Sequence, residues 1–273
     1  MTNVPTRRLN SGAEMPVIGL GVWQVADEEA ADAVATAIEA GYTSIDTAAI
    51  YGNERGVGEG IRRSGAARDS LFITTKVWND RQGYDATLKA FDKSLSRLGV
   101  DHVDLYLIHW PAPRQDLYLE TWKALEKLQA EGRARSIGVS NFHVPHLRRL
   151  FDHSDIRPAV NQIELHPYPP PAALRGFHAP HRIPPEARGP LQRGAGNKPE
   201  IVAIANKHGR TPAQVILRWH VQLGNIAIPK SVTPLRIREN IAVFDFELDA
   251  ADMAAISSLD AGLRTGPNPD TFS

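Results

Sequence analysis

Asp46, Tyr51, Lys76 and His109 bring an acid, a phenol, an ammonium and an imidazole into one chain, each at the end of a strand-like run or just past it. The runs are Ile45-Asp46-Thr47-Ala48, followed by Ile50-Tyr51-Gly52-Asn53-Glu54, then Thr74-Thr75-Lys76-Val77 and Leu107-Ile108-His109-Trp110. Singly, each has a mundane reading: a loop cap, a core phenol, a surface lysine, a satisfied barrel histidine. Together they suit reduction of a carbonyl by hydride. As hydride reaches carbon, charge develops on oxygen and must be met by a proton. A free tyrosine is a reluctant donor at neutral pH, and a nearby ammonium stabilises the phenolate and lowers its pKa. Tyr51 would then be the acid and Lys76 its tuner. Lys76 ends the apolar run Leu71-Phe72-Ile73, where a lysine is partly desolvated and needs a carboxylate to stay charged; Asp46 is the candidate. His109 would donate a hydrogen bond to the substrate oxygen. No side chain supplies a hydride, so a cofactor must.

The steps from 46 to 76 and from 76 to 109 are each about one strand-plus-helix unit, the spacing that lets distant residues meet at one end of a parallel barrel. Short β-branched runs alternate with longer amphipathic ones along almost the whole chain, which argues parallel strands with crossover helices. Strands are expected at Val17 to Val22, Thr43 to Thr47, Leu71 to Val77, Val103 to His109, Ser136 to Ser140, Ala159 to Leu165, poorly near Ile183, and at Ile226 to Pro229. Helical patterns include Glu28 to Ala40, Tyr84 to Leu98, Leu119 to Glu131, Glu200 to His208 and Pro234 to Val243, and Gly41, Gly99, Gly132 and Gly209 follow four of them as caps do. Pro5 to Pro16, with its Asn-Ser-Gly centre, suits a hairpin plugging the barrel floor. The expected fold is a (β/α)8 TIM barrel spanning residues 1–273 as a single domain, since no linker divides it.

Bulk composition excludes several classes. Lys plus Arg equals Asp plus Glu, 31 each, so no net positive field holds nucleic acid or an anionic membrane. No apolar run approaches the roughly 18 residues of a membrane span, and Met1 to Asn10 lacks the apolar core of a secretory signal. The chain has no cysteine, hence no disulfide, thiolate metal site or cysteine nucleophile, in keeping with a reducing cytoplasm. A cytoplasmic monomer is expected. Gly19-Leu20-Gly21 and Gly56-Val57-Gly58-Glu59-Gly60 lack the glycine spacing of a dinucleotide fingerprint and read as turn and packing glycines. His178 and His181 stand three apart, but without a third ligand nearby no metal is expected.

The motifs Ile45-Asp46-Thr47-Ala48-Ala49-Ile50-Tyr51-Gly52-Asn53-Glu54, Thr75-Lys76-Val77-Trp78, Asp104-Leu105-Tyr106-Leu107-Ile108-His109-Trp110-Pro111, Gly138-Val139-Ser140-Asn141-Phe142, Asn161-Gln162-Ile163-Glu164 and Ile228-Pro229-Lys230-Ser231, in this order, resemble the aldo-keto reductase superfamily. The resemblance is strongest to the bacterial branch that includes 2,5-diketo-D-gluconate reductases. It implies that Asp46, Tyr51, Lys76 and His109 form the catalytic tetrad and that Ser140, Asn141 and Gln162 hold the nicotinamide carboxamide. It also implies that Lys230, Ser231, Arg236 and Asn240 form the adenosine-phosphate site. A lysine and an arginine beside a helix start suit a 2′-phosphate, so NADPH is the expected cofactor. Trp23, Trp78 and Trp110 each follow a strand-like run and would wall a pocket for a small carbonyl substrate. The short tail after Leu263 offers little to close that pocket beyond Phe272, which could fold over it.

One stretch departs from the family. Nine of the 20 prolines fall between Pro167 and Pro199, and Pro184 and Pro185 sit where the seventh strand should run, so a short or distorted strand is expected. In Glu186-Ala187-Arg188-Gly189-Pro190-Leu191, Arg188 stands where relatives usually place an aromatic residue that stacks on the nicotinamide. Gly189 and Leu191 belong to the same cofactor-facing stretch, and Arg193 would pair with the pyrophosphate. A guanidinium can stack but is positive, like the oxidised nicotinamide. NADP⁺ is therefore expected to bind disproportionately weakly compared with NADPH, unless Arg188 turns away and leaves no platform at all. The alternative to a reductase of aldehydes and ketones is a cofactor-binding barrel with weak or no turnover, acting as a regulator or impaired around Arg188.

Overall fold

The computed structural model describes residues 4–168, 172–192, 194–259, 262 and 264–273. The Asn-Ser-Gly segment turns the expected hairpin, β1 (Thr6–Arg8) against β2 (Glu14–Pro16), with Thr6 opposite Pro16 and Gly12 at φ 90°. Its inner residues, Leu9 and Met15, pack with Phe72, Leu105, Leu107 and Ile226 and seal the barrel floor.

Eight parallel strands follow in the order of the chain: β3 (Leu20–Gly21), β4 (Ser44–Asp46), β5 (Phe72–Val77), β6 (Val103–Ile108), β7 (Ala134–Ser140), β8 (Asn161–Glu164), β9 (Pro185–Arg188) and β10 (Ile226–Ile228). Parallel bridges from Ile18 to Ala227 and from Gly21 to Lys230 join the first to the last, so the sheet closes. The strand expected near Ile183 starts later, at Pro185. That proline occupies the first strand position, where its missing N–H is least costly, and Pro184 gives its carbonyl to the Asn161 N–H at 3.4 Å.

The helices between the strands are α1 (Asp27–Glu39), α2 (Glu54–Ser64), α3 (Tyr84–Leu98), α4 (Tyr118–Ala130), α5 (Val144–His153), α6 (Ala172–His178), α7 (Pro199–His208), α8 (Pro212–Gln222), α9 (Pro234–Ile241) and α10 (Ala250–Ser257). Proline opens α7, α8 and α9, where its fixed φ helps and no N–H is needed. The glycines at 41, 99, 132 and 209 all have positive φ, from 61° to 103°, as end caps require. Gly56, Gly58 and Gly60 line the face of α2: a Cβ at Gly56 would strike the Asp27 carbonyl on α1, and one at Gly58 the Leu98 carbonyl on α3. They are packing glycines, as the sequence suggests.

Outward faces of the strands meet the helices through a continuous apolar layer, for instance Tyr106 of β6 edge-on to Phe91 of α3 at 4.7 Å. The inward faces carry polar residues towards the C-terminal end. Register sets the depth of each: Asp46 lies opposite Thr74, Lys76 opposite Leu107, Ser140 opposite Gln162, Gln162 opposite Glu186, and Glu164 opposite Arg188.

Candidate active site

Lys76 is the fifth residue of β5 and is wholly buried, while Asp46, the last residue of β4, is 2% exposed. The Lys76 Nζ donates to Asp46 Oδ1 at 2.7 Å and to the Thr47 carbonyl at 2.8 Å. A lysine buried without such partners would lose its proton. Here burial weighs against the ammonium, but the attraction and hydrogen bond of Asp46 outweigh it and hold the pKa above the ordinary lysine value. The cation is therefore permanent at physiological pH.

Tyr51 ends a 3₁₀ turn, Ala49–Tyr51, that leaves the barrel after β4 and is terminated by Gly52 at φ 70°. The turn is pinned from behind by Asn53, which accepts from Thr47 Oγ1 at 2.8 Å and donates to the carbonyls of Val22 and Val25 at 2.8 and 2.9 Å. This places the Tyr51 ring centre 5.1 Å from Lys76 Nζ. Burial raises the phenol pKa, and the charge and hydrogen bond of Lys76 oppose that rise without cancelling it; the Asp46 carboxylate adds to it. The lowering expected from Lys76 is thus present but is not the net result. Tyr51 is fully protonated at neutral pH, so the charge of Lys76 could act only by stabilising a phenolate once the proton has left.

His109 follows β6 and packs edge-on to Tyr51 at 5.6 Å and to Trp78 at 5.1 Å between ring centres. Burial first, then Lys76 and Arg188, hold its pKa well below the ordinary histidine value, so it is a neutral imidazole. A neutral ring can donate one hydrogen bond while adding no charge, which suits orienting a carbonyl oxygen.

Around these four the expected cofactor-binding residues of the barrel strands assemble. Ser140 Oγ donates to the Gln162 carbonyl at 3.0 Å, and Asn141 Nδ2 donates to the His109 carbonyl at 2.9 Å and to Ser140 Oγ at 3.0 Å. Asn141 has φ 62°, a left-handed conformation that asparagine tolerates better than most residues and that aims its amide across the mouth. Gln162 Nε2 donates to Asp46 Oδ2 at 2.8 Å and to Glu186 Oε2 at 3.0 Å.

Arg188 does not turn away. Its Nε donates to Asn141 Oδ1 at 2.8 Å, its Nη2 lies 3.5 Å from Glu164 Oε2, and its guanidinium carbon is 5.5 Å from the centre of the Trp110 ring. Burial lowers its pKa and Glu164 opposes that change. Glu164 is itself held by His166 Nε2 at 3.1 Å and by the N–H and hydroxyl of Thr265 and the N–H of Gly266 at 2.7–2.8 Å; despite burial these bonds, that of His166 first, keep its carboxyl well below the usual range. Gly189 is exposed at φ 61°, and Leu191 packs partly against the core; Arg193 lies outside the described residues.

Past the neighbouring strand β10, Lys230 and Arg236 are exposed and form no ion pair among the described residues, while Ser231 is buried ahead of α9 and Asn240 near its end. Trp78 and Trp110 both meet Phe272, at 6.2 and 4.6 Å, so the tail does fold over the pocket. Trp23 is 58% exposed. Of the expected histidine pair, His178 is buried and accepts from Asn161 Nδ2 at 3.0 Å, and His181 packs on Phe151 and Phe177.

Sequence reasoning missed Glu186, Glu164 and Asn53 as site residues. Glu186 carried a usable signal: an acid inside a strand, two positions from Arg188, must face the barrel interior if Arg188 does.

Residues 17–261 match the sequence model of the Aldo/keto reductase family. The chain is 50% identical over 275 residues to a methylglyoxal reductase DkgA of Yersinia pestis, covering 100% of this chain and 99% of that one. It is 52% identical over 267 residues to a glyoxal reductase of Bacillus subtilis (strain 168), covering 97% and 96%. Among solved structures, a mutant of Gox0644 in complex with NADPH superposes with a TM-score of 0.95 at 49% identity, covering 99% of each chain.

Proposed function

The chain belongs to the aldo/keto reductase family, and from that premise we propose that it reduces small aldehydes and ketones, dicarbonyls such as methylglyoxal among them, to alcohols with NADPH. The observation that carries the reading is the buried Lys76 ammonium between Asp46 and the Thr47 carbonyl, 5.1 Å from the Tyr51 ring.

The residues present suit the cofactor: Lys230 and Arg236, which form no ion pair among the described residues, offer charge to a 2′-phosphate near the start of α9, and the amides of Asn141 and Gln162 suit a carboxamide. Bound there, NADPH supplies the hydride. The carbonyl oxygen lies between Tyr51 and a neutral His109, which orients it. As charge grows on that oxygen, the Tyr51 O–H bond breaks, the alcohol O–H bond forms, and Lys76 stabilises the phenolate left behind. Asp46 keeps Lys76 charged and in place. Phe272, Trp78 and Trp110 exclude water from the reacting carbon. The reading includes a single barrel domain acting as a cytoplasmic monomer; the cysteine-free composition suits a reducing compartment.

Replacing Tyr51 by Phe removes the acid and little else. We expect kcat with methylglyoxal to fall by about 10²–10⁴-fold while NADPH still binds. Retention of near wild-type turnover would falsify the assignment.

A further inference from the structure

Beneath the four catalytic residues lies an acid that their chemistry does not use. Glu186, on β9, has no exposed surface, and its Oε2 accepts from Gln162 Nε2 at 3.0 Å. The same Nε2 donates to Asp46 Oδ2 at 2.8 Å, so two carboxyl groups are bridged by one amide. Its other oxygen, Oε1, is buried with no hydrogen-bond partner. The barrel's geometry forces this meeting: register puts Gln162 directly opposite Glu186, and the β8 face that carries Gln162 points across the barrel to Asp46.

We propose that Glu186 is a positioning residue of the reduction site, held protonated under the catalytic group so that the charge of Lys76 is left undivided for Asp46 and the Tyr51 phenolate.

Counting charge supports this. The pocket holds two carboxyl groups and one ammonium, and a second buried anion would have no cation of its own. Lys76 touches Asp46 directly at 2.7 Å, so Asp46 takes the charge and the proton falls to Glu186. An unpartnered oxygen is tolerable on a neutral acid and far costlier on a carboxylate. The neighbours allow no other arrangement: β4 presents Asp46, β5 presents Lys76, β8 the uncharged Gln162, and β10 places Ile226 opposite. Arg188, one rung higher on the same strand face, is engaged with Asn141 and Glu164. In agreement, burial and then Asp46 push the Glu186 carboxyl up to about 8, against the Gln162 hydrogen bond and Lys76.

The consequence is an upper pH boundary on reduction. When Glu186 loses its proton, the added negative charge competes for Lys76 and makes the Tyr51 phenolate harder to form. The inference rests on the carbonyl-reductase reading above, and its test separates the two. Wild-type kcat for methylglyoxal, followed from about pH 7 to about pH 9.5, should step down roughly tenfold near pH 8, a change of about one pKa unit at the phenol. In Glu186→Gln, which mimics the neutral acid, the ratio between the two ends of the profile should lose that step. Independently of turnover, infrared difference spectra of the wild type across the same range should show the carbonyl stretch of one protonated carboxyl disappearing, a band absent from Glu186→Gln. Should that variant not fold, Glu186→Met, of similar volume, provides the comparison. Turnover by the wild type with no such band, or with the same step in the variant, overturns the proposal alone. No consumption of NADPH by the wild type would overturn the reading and the proposal together.

Discussion

Arg188 changes the local charge balance of the cofactor mouth. The guanidinium is tied to Asn141 at 2.8 Å and to Glu164 at 3.5 Å, so its planar face is presented beside Trp110 with only part of its charge offset. A cation there opposes a positively charged oxidised nicotinamide and is indifferent to the neutral reduced ring. We expect Arg188→Trp to tighten NADP⁺ by about tenfold more than NADPH, an energy of about 1.4 kcal/mol, well within what two charges a few ångströms apart contribute at a partly wet site. Fluorescence titration with both forms checks it; equal changes would remove the electrostatic explanation. The four residues proposed as catalytic were legible as types at strand ends. Their protonation states were not: the neutral His109 and the fully protonated Tyr51 follow from burial, which depends on what packs around them.

Two elements set the site's shape. Helix α2 is wedged between α1 and α3 by glycines, and it carries Glu54, whose buried carboxylate accepts from Thr75 Oγ1 on β5 and Arg97 on α3, both at 2.6 Å. Alanine in place of a helical glycine ordinarily stabilises by about 0.5–1 kcal/mol. At Gly58 the added Cβ would meet the backbone of Leu98, which cannot move aside, and overpacking of this kind costs about 1–3 kcal/mol. The cost wins: Gly58→Ala should lower the urea midpoint, and an unchanged or higher midpoint would contradict the packing role.

The second element is the tail. Glu164 holds Thr265 and Gly266, His143 Nδ1 meets Asp270 Oδ1 at 2.9 Å, and Phe272 lands between Trp78 and Trp110. Phe272→Ala removes a half-buried ring, part of the ~1.5–3 kcal/mol of full aromatic burial. KM for an apolar aldehyde should rise about tenfold while NADPH affinity moves far less; matched losses in both would mean that the tail serves the fold instead. The sequence showed Phe272 as a candidate lid. It could not show the Glu164 clasp, because residues 164 and 265 meet only after the barrel has closed.

At the scale of the whole molecule, 31 acidic and 31 basic residues cancel, so recognition of an anionic cofactor must be local. Among the described residues Lys230 and Arg236 form no ion pair, whereas Arg238, two residues past Arg236, is paired with Glu39 at 3.1 Å. Lys230→Ala should weaken NADPH by about tenfold, in line with roughly 1.5 kcal/mol for a charge-assisted hydrogen bond, and leave NADH nearly unaffected. The variant should also show a shallower dependence of NADPH affinity on ionic strength, since fewer charges are screened. Isothermal titration at low and high salt tests both, and equal losses for the two dinucleotides would place the phosphate elsewhere.

By itself the sequence determined the barrel, its hairpin floor and the cap glycines, and it singled out the residues proposed as the acid, its lysine, the carboxylate and the imidazole. These depend on local periodicity, turn chemistry and the repeat of about one strand and helix, all properties of neighbouring residues. Only the tertiary structure decided which acids share Gln162, that Arg188 leans onto Asn141, and that the tail closes over two tryptophans. Those contacts join residues tens to more than a hundred positions apart, and their protonation follows from a dry interior that no single segment creates.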